Sequence, residues 1–122
     1  MNNREFSKHL EQRTKRFAIS IIKLSASLPN TPEARIVRNQ ITKSGTSIGA
    51  NYREANKGRS RADFLNKIKI SEGEASETCF WLEIIEEMQW KEIDKLKPII
   101  VESNEILAIF SSISKNTKSN TS

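Results

Sequence analysis

Two apolar seams with an intact three-four spacing occupy residues 34 to 85, and one basic turn separates them. Ala34, Val37, Ile41, Ser44, Ile48, Asn51 and Ala55 keep the rhythm before the turn. Phe64, Ile68, Ser71, Ala75, Thr78, Leu82 and Ile85 keep it afterwards. Steps of three and four return a side chain to the same side of a helix with about 3.6 residues per turn, so the pattern predicts a long antiparallel helical hairpin. Its tip is Lys57-Gly58-Arg59-Ser60-Arg61, which concentrates positive charge.

Helix signals bracket these seams and extend them. Leu10, Thr14, Phe17, Ile21, Leu24 and Leu28 form the buried stripe of a first helix from about Arg4 to Leu28, widened by Ala18, Ile22 and Ser25. Pro29-Asn30-Thr31-Pro32 stops it; Thr31 is a good N-cap, and Pro32 at the first helical position gives up a donor that has no partner there. The second helix runs from Pro32 through Lys57. Gly45 and Gly49 each weaken it by about 1 kcal/mol relative to alanine, and with Ser44, Ser47 and Ala50 they form a small-residue face that admits a close neighbour. Gly58 suits a left-handed position after the helix, and Ser60-Arg61-Ala62-Asp63 reads as a capping box. The third helix extends from Arg61 to about Met88. Asp94 is an adequate N-cap for a fourth at about 94 to 114, with Leu96, Ile99, Ile100, Leu107, Phe110 and Ile113 as its stripe and Pro98 tolerable near its start.

No segment alternates with period two over a strand length, so the fold class is all-α. Short connections between four amphipathic helices favour an antiparallel up-down-up-down four-helix bundle. The 122 residues suit one domain, residues 1–114, with 115–122 as a polar, disordered tail. The single Cys79 cannot form an internal disulfide, and no apolar stretch suggests export or membrane spanning, so the expected compartment is the cytoplasm, with no membrane partner.

A net charge of +5 conceals a strong asymmetry. Residues 33 to 69 carry nine Lys/Arg against three acids, whereas residues 70 to 105 carry three against ten. In an up-down bundle the Lys57, Arg59 and Arg61 tip joins Arg4, Lys8, Lys115 and Lys118 at one end. Such an end reads phosphate backbone better than base identity, because Tyr52, Trp81 and Trp90, the candidate stacking residues, have the spacing of core aromatics. An ordinary solubilising surface is the plain alternative.

Enzyme constellations fit poorly. A di-iron bundle wants Glu-x-x-His on two helices, and this chain has one histidine, His9. No Walker pattern is present, and Cys79 has no local base. Glu72, Glu74 and Glu77 on the third helix, with Arg53 and Glu54 on the second, are accounted for more simply by cross-helix ion pairs. Asn51 falls within the repeat itself and is expected to fix helix register through a polar contact. The chain therefore reads as no enzyme, with no cofactor and no metal.

Three stretches carry a resemblance: Ser47-Ile48-Gly49-Ala50-Asn51-Tyr52-Arg53-Glu54-Ala55, then Arg59-Ser60-Arg61-Ala62-Asp63-Phe64, then Glu74-Ala75-Ser76-Glu77-Thr78-Cys79-Phe80-Trp81-Leu82. Over about residues 10 to 113 the chain resembles the bacterial four-helix bundle protein family named for reading frames within 23S rRNA intervening sequences. Ser47, Asn51, Glu54, Phe64, Glu74 and Glu77 fall at the family's signature positions. The resemblance implies an up-down bundle, commonly a ring-shaped homopentamer, without an established enzymatic activity. It also implies a relation to accessory proteins of diversity-generating retroelements, which bind nucleic acid and partner a reverse transcriptase. The residues agree with a homo-oligomer independently, through the small-residue face, the Phe80-Trp81 pair and the charge split. The functional expectation is an RNA- or DNA-binding module acting through its basic tip, or alternatively a protein-interaction scaffold.

Overall fold

The computed structural model describes residues 2–121, and side chains as far as Thr117. Four helices follow in order: α1 (Asn3–Ser27), α2 (Pro32–Asn56), α3 (Arg61–Glu87) and α4 (Ile93–Thr121). Among the described residues there is no strand. Each helix packs antiparallel on its chain neighbour, and the α1–α4 seam that closes the bundle is the loosest.

The caps explain the boundaries. Asn2 Oδ1 accepts from Glu5 N at 2.8 Å, Thr31 Oγ1 from Ala34 N at 3.1 Å and Ser60 Oγ from Asp63 N at 3.1 Å. Each replaces a donor left without a partner in the first turn. α4 starts one residue before the expected Asp94 cap: the Glu92 carbonyl already accepts from Lys95 N at 3.1 Å and Leu96 N at 3.0 Å. Its own backbone N–H, then Lys95, hold the Glu92 carboxyl below the ordinary range. α4 also runs past the expected end at 114, through most of the segment expected as a tail, because no Pro or Gly interrupts residues 115 to 121.

One turn expectation is corrected. Gly58 is not left-handed; among the described residues no glycine has positive φ. Its value lies in close approach, since its N–H donates to Ala55 O at 3.0 Å and a Cβ there would stand 3.0 Å from that oxygen. The left-handed residue is Gln89, with φ 56°. Gln89 N donates to Glu86 O at 3.0 Å and Trp90 N to Ile85 O at 3.2 Å, which is a Schellman closure of α3 around a non-glycine residue. Half-buried Trp90 packs against the core cluster that contains Ile85, supplying the hydrophobic contact that accompanies such closures.

The core holds most of the predicted stripes of α1, α2 and α3, but Ile22, expected to widen the α1 stripe, is exposed, Phe64 is half-buried, and one seam position of α2 changes hands. Tyr52, at 2% exposure, takes the seam position expected for Asn51 and packs edge-on against Phe110 with ring centroids 5.4 Å apart. It is therefore no stacking platform. On α4, buried Leu96, Ser103, Ile106, Phe110 and Ser114 form the inner line, while Ile99, Ile100, Leu107 and Ile113 flank it half-buried. Hydroxyl groups join the helices in register: Ser44 with Thr78 at 2.9 Å, Ser71 to Ile48 O at 2.9 Å, and Thr42 with Ser25 at 2.9 Å. Among the described residues no buried side-chain N or O lacks a partner.

Gly45 and Gly49 do admit a close neighbour, and it is α1. A Cβ on Gly45 would stand 2.8 Å from Ile21, and one on Gly49 2.8 Å from Thr14. The small face is narrower than predicted, because Ala50 is exposed and Ser47 half-buried.

Candidate nucleic-acid interface

The α2–α3 connection is short and held by its backbone. Lys57 N donates to Glu54 O at 3.1 Å, Gly58 N to Ala55 O, and Phe64 N to Ser60 O at 3.0 Å. Lys57, Arg59 and Arg61 are all exposed on this fixed reversal. The bundle brings the first turns of α1 and the last part of α4 to the same end. One depression there is lined by Arg61, Phe64, Ile113, Asn116 and Thr117, and another by Asn3, Phe6, Ile109, Ile113 and Asn116 among others. Arg4, Lys8 and Lys115 are exposed on these segments. The side chain of Lys118 lies outside the described residues.

Nearby acids are partly occupied. Glu5 accepts from Asn2 Nδ2 at 3.2 Å. Glu11 accepts from Asn56 Nδ2 at 2.8 Å and lies 3.9 Å from Arg53, so the cross-helix ion pair expected for Arg53 joins α2 to α1. Lys57 and Arg59 stand exposed to solvent. Among the described residues no group of three His, Cys, Asp or Glu is arranged to hold a metal ion.

The family-signature residues form a different set, of which Glu54 and Phe64 flank the tip and Ser47, Asn51, Glu74 and Glu77 lie further along α2 and α3. Ser47 Oγ donates to Lys43 O at 2.6 Å and Asn51 Nδ2 to Ser47 O at 2.9 Å, so both are satisfied within α2. Asn51 thus makes no register contact across helices; that work falls to Ser44, Thr78 and Ser71. Glu77 accepts from Trp81 Nε1 at 3.2 Å. Burial, then repulsion from Glu77, raise the Glu74 carboxyl pKa, against an opposing pull from Lys43 on α2. Exposed Glu54 lies on α2, and half-buried Phe64 packs on the core at the start of α3.

One strong contact escaped the sequence reading. Arg13 on α1 grips Glu102 on α4 with two hydrogen bonds, Nε to Oε2 at 2.8 Å and Nη2 to Oε1 at 2.7 Å, and reaches Glu105 at 3.2 Å. The hydrogen bond to Glu102 holds the guanidinium still more firmly in its charged form. The clamp sits on the loosest seam.

Four antiparallel helices, a seam of satisfied hydroxyls and an exposed basic reversal define a helical-bundle protein without an assembled metal site among the described residues. Residues 8–112 match the model of the 23S rRNA-intervening sequence protein family, and the chain belongs to that family. It is similar to a crystal structure from Bacteroides thetaiotaomicron VPI-5482, described as a protein of unknown function from the S23 ribosomal protein family. That likeness has 39% identity and a TM-score of 0.79, covering 86% of this chain and 97% of the other. Among curated proteins none matches the chain. Among the described residues no helix is long and apolar enough to cross a membrane.

Proposed function

We propose that this chain is a non-catalytic, cytoplasmic, oligomeric bundle protein that binds nucleic acid, structured RNA in particular, through its basic end. The observation that carries the reading is the fixed α2–α3 reversal, whose exposed Lys57, Arg59 and Arg61 share an end with Arg4, Lys8 and Lys115. Phosphate contacts of this kind release counterions, so binding must weaken steeply with salt. The buried Tyr52 removes the best stacking candidate, which favours backbone recognition over base readout. The family's rRNA connection favours RNA over DNA as the first ligand to test.

A second reading rests on Phe80, which is 50% exposed beside half-buried Trp81. In it the oligomer, a pentamer as the family resemblance suggests, is a scaffold that recruits a protein such as a reverse transcriptase, and nucleic acid is incidental. Salt separates the two readings, because an apolar partner surface lacks the steep dependence. A labelled structured RNA is titrated at several salt concentrations with wild type and with Lys57→Glu/Arg59→Glu. Loss of two phosphate contacts lowers the log–log salt slope by about 2. Unchanged binding by the variant would eliminate the tip, and no binding by wild type would favour the scaffold.

A further inference from the structure

Of the four glycines, Gly45 and Gly49 are explained by α1 and Gly58 by the Ala55 carbonyl, but a Cβ on Gly73 would meet nothing within 4 Å. Gly73 lies inside α3, where glycine weakens a helix, and no contact within the chain requires it. It shares an outward stripe with Ile70, Glu77 and Phe80 at three-four spacing. Ile70 is 44% exposed and Phe80 50%. Trp81 donates to the Glu77 carboxylate and meets Phe80 edge-on with centroids 5.0 Å apart, so the acid and the aromatic are held in place together. The stripe is an apolar strip with a notch at Gly73 and a fixed negative charge.

The outer side of α1 has the complementary character. Ile19 and Ile22 are 43% and 49% exposed, and Lys15 and Lys23 flank them in the open. The two strips also stand at the same height. Thr14 lies against Gly49, whose neighbour Ile48 bonds Ser71, and Ile21 lies against Gly45, whose neighbour Ser44 bonds Thr78. Thr14 to Ile21 on α1 therefore spans the level of Ser71 to Thr78 on α3. α1 and α3 also run in the same direction in an up-down-up-down bundle.

Building on the self-association in the proposed function, we propose that the Ile70–Gly73–Glu77–Phe80 stripe of α3 docks the Lys15–Ile19–Ile22–Lys23 strip of α1 from a second copy of this chain. The occupant follows from the charges: a basic-rimmed apolar strip fits an acidic one, and both belong to the same molecule at matched height. The contact is head-to-tail, so every copy keeps one strip of each kind available for the next, and a ring forms where the rotation closes. Arg4 and Lys8 lie on earlier turns of α1, outside this contact, so the basic ends of successive copies gather on one side of the assembly.

The test uses the whole chain carrying Ile19→Asp or Phe80→Asp, read by sedimentation velocity, with circular dichroism confirming that both fold. Either substitution raises the concentration needed to assemble by roughly thirtyfold or more. An equal mixture regains a two-chain particle, because the intact α3 strip of one variant meets the intact α1 strip of the other. Lys23→Glu and Glu77→Lys, which replace no apolar side chain, each weaken assembly, and the doubly reversed chain restores it. A variant that keeps the wild-type particle, or a mixture that stays single-chain, would overturn the proposed contact while leaving self-association standing. A wild type that sediments as one chain would remove both.

Discussion

Gly45 and Gly73 sit inside two equally regular helices, yet their surroundings are opposite. Around Gly45 the chain has closed completely: Ile21 stands where a Cβ would go, and Ser44 beside it bonds Thr78 across the seam. Around Gly73 there is open space, with exposed Ile70 and Phe80 on either side. The inward face of α2 is thus explained by the monomer, and the outward face of α3 is not. A helix-weakening residue with no partner in its own chain directs attention to another chain.

Truncating one large aromatic on each side probes this contrast most strongly. Phe110→Ala, at a fully buried ring, is expected to lower unfolding free energy by about 3–5 kcal/mol in denaturant titrations. Phe80→Ala changes the stability of a single chain by no more than about 0.5 kcal/mol, and its effect falls on assembly. A large monomer penalty at Phe80 would mean that the ring is part of the core after all.

The glycines give a smaller contrast of opposite sign. Gly45→Ala forces a methyl group to within 2.8 Å of Ile21. Overpacking costs about 1–3 kcal/mol, and the helix-propensity gain of about 1 kcal/mol offsets only part of it. Gly73→Ala, measured in dissociated Phe80→Asp chains, keeps that gain and raises stability by about 1 kcal/mol. Thermal melts of both substitutions check the pair.

Glu74 should show the mildest effect. Its folded carboxyl pKa lies above the ordinary glutamate value, chiefly through burial. The folded state therefore holds this proton more tightly than the unfolded chain does. Its contribution favours folding below the ordinary carboxylate pKa and is lost as pH rises through the raised value. Glu74→Gln removes that fall, so it should slightly stabilise the protein at neutral pH and flatten the stability profile just above pH 4.5. Urea titrations across that range measure it; a loss of stability at neutral pH would show that the Lys43 attraction outweighs burial.

Much of this architecture was legible because a three-four repeat encodes both helix and buried face. The seam of α3 and the caps at Thr31 and Ser60 needed only local rules. What escaped depends on contacts between helices. Tyr52 and Asn51 are adjacent and both fit the repeat approximately, and the Phe110 ring on α4 decided which turned inward. The Arg13–Glu102 clamp joins residues far apart in the chain, so no spacing announces it. Gln89 adopts a left-handed backbone without being glycine, since Trp90 packing and two closing hydrogen bonds offset its cost. At the basic end, the reversal and its cations were readable directly.

Light scattering on the wild-type chain at micromolar concentration tests most directly whether its outward faces are completed by another copy. The account predicts a mass several times 13.9 kDa, five times for a pentameric ring. A particle of 13.9 kDa would contradict it and leave Gly73, Ile70 and Phe80 as features of an isolated surface.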